Sequence, residues 1–181
     1  MSTIAFTFGN FNPPVKSNIN VFDKLKEVAK QRGVEYHIIL SSVCDSNTNP
    51  IEYYDKINFM KTMFPKTFDK YIPPDVYITS IIKACIYMYG KGYRNIIFVA
   101  EQNRKDRLEY VLKTYNNRKT KWGCYNFDKI DVVLSDVGEY SSKYILDCVK
   151  QNDYDGFKKA LPDTYDGRVL YQRIRRGINL K

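Results

Sequence analysis

Residues 6–18 read FTFGNFNPPVKSN, and we expect the rest of the chain to be organised around this stretch. An apolar run over residues 4–8 stops at Gly9, and the two prolines that follow cannot donate to a sheet ladder. Ser17 and Asn18 then open a segment in which apolar residues recur at helical spacing. The order is strand, tight turn and capped helix, so the free amides of the turn should face the space above the helix N-terminus. Such a place favours phosphate.

The remainder of the chain alternates between strand and helix patterns. Gly33 should cap the first helix, and further strands are predicted at residues 35–42, 96–100 and 130–134. Residues 96–100 are all apolar, as in strands that are buried on both faces. Residues 73–75, Pro-Pro-Asp, should break the chain and start a helix. This order predicts an α/β fold, a three-layer Rossmann-like domain with a parallel sheet and C-terminal helices.

The pattern of basic and apolar residues in the last segment of the chain predicts a basic helix. It combines four arginines with Val169, Leu170 and Ile174 on the opposite face. We therefore predict an α/β domain of residues 1–162 and a basic C-terminal helix, residues 163–181, that packs on it. The alternative is that this helix docks on an acidic protein partner.

The net charge of +9, from 29 basic and 20 acidic residues, favours anionic partners such as nucleotides, nucleic acid or an acidic protein surface. A generally basic surface explains the charge equally well. No apolar run approaches membrane-spanning length, and no secretory signal precedes the first strand. We therefore expect a cytoplasmic protein that does not contact a membrane.

The cysteines are far apart in the sequence, and none forms a Cys-x-x-Cys pair. We expect reduced, mostly buried thiols rather than a zinc site or a disulfide framework. The four residues are Cys44, Cys85, Cys124 and Cys148.

The opening stretch resembles the first motif of the nucleotidyltransferases with the His-x-Gly-His signature, in the phage-type adenylyl/cytidylyltransferase branch. There the motif runs Gly-Arg-Phe-Asn-Pro-Pro-Thr-x-Gly-His. The matching residues here are Gly9, Phe11, Asn12, Pro13 and Pro14. The altered ones are Asn10 for Arg, Val15 for Thr or His, Ser17 for Gly and Asn18 for the final His. The resemblance implies a HUP-type Rossmann-like fold.

Further landmarks extend the resemblance over residues 6–162. A loop and helix match at Asp45, Asn49, Pro50, Lys56, Met63, Phe64 and Pro65, whereas Ser46, Asn47 and Thr48 replace the lysines of the family. Counting back from Tyr115 and Asn116 places residues 101–104 at the Gly-Ser-Asp-Arg positions, of which only Arg104 is kept. Residues 152–162 match the family's closing segment.

The resemblance implies that a phosphate or similar group attacks the α-phosphate of a nucleoside triphosphate and that pyrophosphate leaves. Mg²⁺ is expected only together with the nucleoside triphosphate, and no metal-ligating residue is predicted. The implied catalytic residues are Asn18 and Lys143. The implied nucleotide-binding residues are Phe8, Gly9, Asn10, Asn12, Lys16, Asn103, Arg104, Ser141 and Ser142.

The residues that would carry the chemistry are altered. The only histidine, His37, belongs to the second strand, where we expect a packed or edge-strand residue, so no histidine occupies the first turn. The family's late Ser-x-Thr-Lys-Met-Arg segment aligns here in two registers, which place either Leu146 or Ile145 at the arginine. Neither side chain can neutralise a leaving pyrophosphate. The resemblance therefore implies weakened or lost catalysis.

The sequence is compatible with three functions. The first is an active or weakened nucleotidyltransferase of phage or viral origin. The second is a catalytically inactive binding or assembly module, in a virion or on a host protein, with the host cytoplasm or the virion as its location. The third and least favoured is a nucleic-acid binder, in which the basic residues 116–127 would bind the backbone and Trp122 would stack on bases. The simpler interpretation of residues 116–127 is a solvated loop that Trp122 anchors.

Overall fold

Four parallel strands form one sheet in the order β2-β1-β3-β4 in the computed structural model of the protein, which describes residues 2–67, 69–71 and 77–180. The strands are β1 Thr3–Gly9, β2 Glu35–Leu40, β3 Asn95–Glu101 and β4 Lys129–Ser135. β2 ends two residues earlier than predicted, whereas the third and fourth strands contain the predicted residues. The α/β class and the parallel sheet are confirmed.

Seven α-helices are found in the described part of the chain. They are α1 Asn18–Arg32, α2 Tyr53–Met63, α3 Ile81–Gly90, α4 Lys105–Tyr115, α5 Ser142–Lys150, α6 Tyr154–Lys159 and α7 Arg168–Gly177. Single 3₁₀ turns follow at Pro65–Thr67 and Gln102–Arg104. α1 ends at Gly33, whose left-handed φ of 61° gives the predicted C-cap. The break predicted at residues 73–75 lies outside the described residues.

The sheet separates two apolar cores, as the period of two in a strand requires. In β1, Ala5 contributes to one core, and Ile4 and Phe6 contribute to the other. The first core contains the apolar faces of α1, α2, α5, α6 and α7, and the second contains those of α3 and α4. The predicted three-layer architecture is therefore confirmed.

The strand order places a switch point between β1 and β3. The chain leaves β1 through α1 to reach β2 on one side, and β3 lies on the other side of β1. Connections that diverge in this way open a crevice at the carboxyl ends of the strands. Gly9, the last residue of β1, lies at that point.

The turn after β1 is held by Asn12, which is only 1% exposed. Its Nδ2 donates to the carbonyl of Ile51 at 2.9 Å, and its Oδ1 accepts from the amide of Ile51 at 3.0 Å. The ring of Phe11 covers Gly9, where an added Cβ would lie 2.8 Å from Cε2 of the ring. These contacts explain why the turn needs an asparagine and a glycine at the two positions.

α7 packs on the domain through residues on one face. Leu170 and Ile174 are fully buried, and the Tyr171 ring lies 5.0 Å from that of Phe157. Val169, predicted on the same face, is 64% exposed because consecutive helical residues point about 100° apart. The division of the chain at residue 162 stays a prediction.

Two predictions about side-chain burial are wrong. Cys44 and Cys124 are exposed, and only Cys85 and Cys148 are buried. Trp122 does not anchor its loop, because 49% of its surface is exposed. The buried rings of Tyr125 and Phe127 do so instead, and they pack against the core on the α3 and α4 side of the sheet.

None of the helices in the described ranges combines the length and apolarity needed to cross a membrane.

Replacing Asn12 should destabilise the fold. The Asn12→Ala variant leaves both backbone groups of the buried Ile51 without a partner, so we expect a loss of about 2–4 kcal/mol in the free energy of unfolding. Urea denaturation followed by circular dichroism measures this loss. The control is Asn10→Ala in the same turn, where the side chain is exposed and the change should stay within about 0.5 kcal/mol. Equal stability of the two variants would contradict the role assigned to Asn12.

Candidate functional site

A cavity of about 590 Å³ opens at the carboxyl ends of β1 and β3, at the switch point of the sheet. Segments that are far apart in the sequence form its wall. They are the end of β1 with the turn after it, the start of α1, the loop at residues 47–49, the end of β3 with the residues after it, the loop at residues 137–141, and the cavity-facing side of α5.

All the predicted site residues except Lys16 line this cavity. They are Phe8, Gly9, Asn10, Asn12, Asn18, Asn103, Arg104, Ser141, Ser142 and Lys143. The ammonium group of Lys16 instead lies 4.7 Å from the ring centroid of Tyr140. His37 lies in β2, which is an edge strand as predicted, and is not part of the wall.

The free amides predicted for the turn before α1 are found only in part. The amides of Asn18 and Ile19 donate to carbonyls three residues earlier, at 3.0 and 3.1 Å, and that of Lys16 donates to Ala160 at 2.7 Å. The tight turns at the entrance to α1 therefore use these three amides as donors within the chain. Within the described ranges, the turn amides left without an acceptor are those of residues 10–12 and Ser17.

Asn18 retains one donor for a ligand. Its Oδ1 accepts from the amide of Val15 at 2.9 Å, which fixes the orientation of the side-chain amide. Its Nδ2 donates to no described residue, although the side chain is only 8% exposed and lines the cavity. Asn18 can therefore give a neutral hydrogen bond, but no charge.

Ser17 does not cap α1 as predicted. Its Oγ accepts from the amide of Tyr140 at 3.0 Å. A Cβ added at Gly138 would collide with the side chain of Ser17, so the loop before α5 lies directly on the start of α1. A second bond, from Ser142 Oγ to the carbonyl of Pro13 at 2.6 Å, joins the same two regions. These contacts fix the start of α5 relative to the turn after β1.

The N-terminus of α5 supplies the donors that α1 lacks. Ser141 is its N-cap, and the Ser141 Oγ accepts from the amide of Tyr144 at 3.2 Å. The amides of Ser142 and Lys143 have no acceptor in the described part of the chain. Free amides at a helix N-terminus carry partial positive charge and bind anions. The cavity therefore has an anion-binding end at the start of α5.

Each register of the late motif brings one of its two basic positions to the cavity. The register without a gap assigns the motif arginine to Leu146, which lines the cavity, and the motif lysine to Tyr144, which does not. The shifted register assigns the lysine to Lys143, which lines the cavity, and the arginine to Ile145, which is fully buried in the core. The hydroxyls of Ser141 and Ser142 are both used within the fold, so their contribution to the wall comes mainly from the backbone.

The cavity wall contains both signs of charge. Its cations are Arg104, Lys143 and Lys150, and its carboxylates are Glu101 and Asp147. Lys143 pairs with Asp147 at 2.7 Å, and its side chain is 84% exposed, so this pair is weak and can separate. The sequence reasoning missed Lys150, although it follows Leu146 by four residues and so belongs to the same helix face.

Lys56 is a buried lysine behind the turn. Its Nζ donates to the carbonyl of Ser41 and lies 5.6 Å from the ring centroid of Tyr53. No carboxylate of the described chain pairs with it, and burial lowers its pKa to about 8. The amide of Ser41 donates in turn to the carbonyl of Gly9 at 2.8 Å. Lys56 thus supports the end of β2 next to the cavity.

No protein-family model matches the sequence, and no curated protein matches it. Among solved structures, the nicotinic acid mononucleotide adenylyltransferase of Plasmodium falciparum, complexed with APC, superposes with a TM-score of 0.58. The two sequences are 13% identical, and the match covers 99% of this chain and 97% of the other. The chain has the fold of that nucleotidyltransferase. The predicted Rossmann-like fold is thereby confirmed.

A Vibrio parahaemolyticus protein assigned as a nicotinate-nucleotide adenylyltransferase also matches. Its TM-score is 0.47 at 11% identity, with coverage of 87% of this chain and 92% of that one. The fold assignment rests on the Plasmodium structure.

Burial of Lys56 should make stability depend on pH. The unfolded chain keeps this proton up to about pH 10.5, whereas the folded chain releases it near pH 8. Below pH 8 the folded state therefore carries the full free-energy cost of burying the charged ammonium. This cost decreases as the pH rises and the group loses its proton. Relative to Lys56→Met, the wild type should gain up to about 1.4 kcal/mol per pH unit between pH 8 and 10.

Urea denaturation of both proteins at several pH values measures this difference. A Cys44→Ser variant, which removes the thiol facing Lys56, serves as the control and should keep the rise. Parallel stability curves for the wild type and Lys56→Met would show that the ammonium is not desolvated.

Proposed function

We propose that the protein is a nucleotidyltransferase-like protein that binds a nucleoside triphosphate with Mg²⁺ in the switch-point cavity, and that its catalysis is weakened or lost. The observation that carries the proposal is the free N-terminus of α5, which opens into that cavity together with Arg104, Lys143 and Lys150. The Plasmodium structure supports a nucleotide as ligand, because that protein is by name an adenylyltransferase of nicotinic acid mononucleotide.

The triphosphate would lie at the start of α5. There the amides of Ser142 and Lys143 and the side chains of Arg104 and Lys150 supply donors and charge. Asn18 would add a neutral hydrogen bond from the α1 side. The nucleoside would then extend over the end of β1, where Phe8 and Gly9 form the wall.

The residues present fit a magnesium ion that is shared with phosphates. Mg²⁺ is commonly held by one or two carboxylates together with substrate phosphates. Glu101 lines the cavity and has no cationic partner in the described chain, so it can supply such a carboxylate. The described residues contain no cluster of three or more acidic, histidine or cysteine ligands. When bound, the ion neutralises phosphate charge.

Weak catalysis follows from the side chains at the anion-binding end. Transfer of a nucleotidyl group relies on positioning and on stabilisation of the charge that develops on the leaving pyrophosphate. Leu146 is apolar where the resemblance implies an arginine, and Asn18 is neutral where it implies a histidine. The loss of a charged donor lowers the rate on the order of a hundredfold or more. Lys143 compensates poorly because it faces solvent and Asp147.

The alternative is an inactive binding or assembly module, which the same apolar substitution at Leu146 would produce. A docking role for the basic helix α7 has less support. Three of its four arginines are bonded within the chain: Arg168 to Asp166 at 2.9 Å, Arg173 to Asp55 at 3.1 Å, and Arg175 to Asn152. A phage or viral origin, and a location in the host cytoplasm or the virion, stay predictions.

Isothermal titration with ATP and with CTP, each with Mg²⁺, tests the binding site. We expect binding that Arg104→Ala and Lys150→Ala each weaken roughly tenfold, because each removes a charged donor from the anion. Lys129→Ala is the charge-matched control, since Lys129 starts β4 at the opposite end of the sheet. Affinity that both cavity variants leave unchanged would place the nucleotide elsewhere.

A gain-of-function variant tests the account of catalysis. Leu146→Arg restores a cation at the cavity wall, so pyrophosphate release from ATP with nicotinic acid mononucleotide or another phosphate acceptor should rise tenfold or more. Val169→Arg adds the same charge on the exposed face of α7 and should change nothing. The melting temperature of Leu146→Arg is measured in parallel, because residue 146 is only 5% exposed.

Robust turnover by the wild type that Lys143→Ala abolishes would refute the weakened catalysis. If Leu146→Arg loses its fold, Leu146→Lys carries the same test with a more flexible cation.

A further inference from the structure

The loop between α4 and β4 presents Trp122 in a defined way. The amide of Thr120 donates to the carbonyl of Gly123 at 2.8 Å, and the amide of Gly123 donates back at 3.1 Å. The Trp122 amide donates to Thr120 Oγ1 at 3.2 Å, and Gly123 has a φ of +124°, which favours glycine. These bonds close a tight turn whose two central residues are Lys121 and Trp122. These bonds place Trp122 at the tip of the turn, where its indole is partly exposed.

Lysine side chains lie next to two exposed aromatic rings at this surface. The Nζ of Lys83, in the first turn of α3, lies 5.7 Å from the ring centroids of both Tyr77 and Trp122. Lys121 Nζ lies 4.8 Å from the Trp122 centroid. Tyr77 is 71% exposed and Trp122 is 49% exposed. We call these four residues the Trp122 surface, and none of them lines the cavity.

The positive charge of the Trp122 surface is not compensated. Residues 116–127 contain three basic residues and no acidic one. Neither Lys83 nor Lys121 pairs with a carboxylate of the described chain, whereas other surface lysines do, such as Lys24 with Glu27 at 3.1 Å. An anionic ligand would therefore meet free ammonium groups beside exposed aromatic faces.

We propose that the Trp122 surface binds single-stranded nucleic acid. Bases stack on the rings of Trp122 and Tyr77, and Lys83 and Lys121 contact the flanking phosphates. Stacking of a base on an aromatic ring is stronger than the contact of an exposed ammonium with that ring. A base can therefore displace the lysines from the ring faces, and the released ammonium groups then lie next to the backbone. An acidic peptide would use the cations and leave the rings unused.

The fluorescence of Trp122, the only tryptophan, reports directly on this surface. The probes are the 12-mers dT12 and rU12, added to the full chain at 50 and 200 mM salt. We expect quenching by stacking, and affinity that falls with salt by a log–log slope of about −0.7 per contacted phosphate. Tighter binding of one probe assigns the ligand as DNA or RNA. Absence of quenching, or quenching indifferent to salt, would overturn the proposal.

Variants separate stacking from charge, with affinity measured by anisotropy of the labelled probes. Trp122→Ala should weaken binding about tenfold, and Trp122→Phe should retain most of the affinity because a ring remains. The variant with both Lys83→Ala and Lys121→Ala should reduce the salt slope by about 0.7 for each lysine. Lys24→Ala, which removes a lysine already paired with Glu27, is the control and should leave both quantities unchanged.

Two competitors test whether the Trp122 surface binds other ligands and whether the oligonucleotide binds in the cavity instead. Equal quenching by poly-glutamate would show that the surface accepts acidic peptides, and this outcome would overturn the proposal. Displacement of the oligonucleotide by ATP with Mg²⁺, together with weakened oligonucleotide binding in Arg104→Ala or Lys150→Ala, would place it in the cavity and would also overturn the proposal. Melting temperatures of all variants are measured first. If Trp122→Ala does not fold, Trp122→Phe and the double lysine variant test the proposal without it.

Discussion

The start of α1 and the turn before it are held by hydrogen bonds from two other parts of the chain. Asn12 binds both backbone groups of Ile51, Ser17 accepts from Tyr140, and the carbonyl of Pro13 accepts from Ser142. The first pair of bonds joins the turn to the segment after residues 47–49, and the other two join it to the start of α5. Because buried polar groups are stable only when they are paired, the turn cannot shift without breaking several of these bonds. The shape of the cavity depends on this one network.

The same network decides where the cavity can bind an anion. The helix that begins at the switch point would ordinarily provide the free amides, but its first turn uses them internally. The free donors lie instead at the start of α5, which the Ser142 bond holds against the turn. Lys143 and Lys150 of α5 supply positive charge to the cavity, as does Arg104. The apolar Leu146 lies between the two lysines in α5. The cavity wall thus combines the free amides of α5 with three cations and the apolar Leu146.

Much of the fold could be predicted because it depends on local patterns. Gly33 ends α1, and the apolar residues 96–100 form a strand buried on both faces, for reasons that lie within a few residues of sequence. Ten of the eleven predicted site residues line the cavity, since strand ends in a parallel sheet meet at one edge. Only Lys16 of the predicted set lies elsewhere. The wrong prediction for Ser17 concerns a partner that is distant in the sequence. The Ser17 hydroxyl accepts from the amide of Tyr140, 123 positions later, rather than from the first turn of its own helix.

The two bonds that join the turn after β1 to the α5 region connect residues 123 and 129 positions apart. A ribosome makes the turn first and the partner segment more than a hundred residues later, and long-range contacts of this kind form late in folding. A nascent chain that has exposed β1, β2 and β3 therefore has most of the sheet but no finished pocket. The ability to hold a ligand arises only when the final third of the polypeptide has emerged.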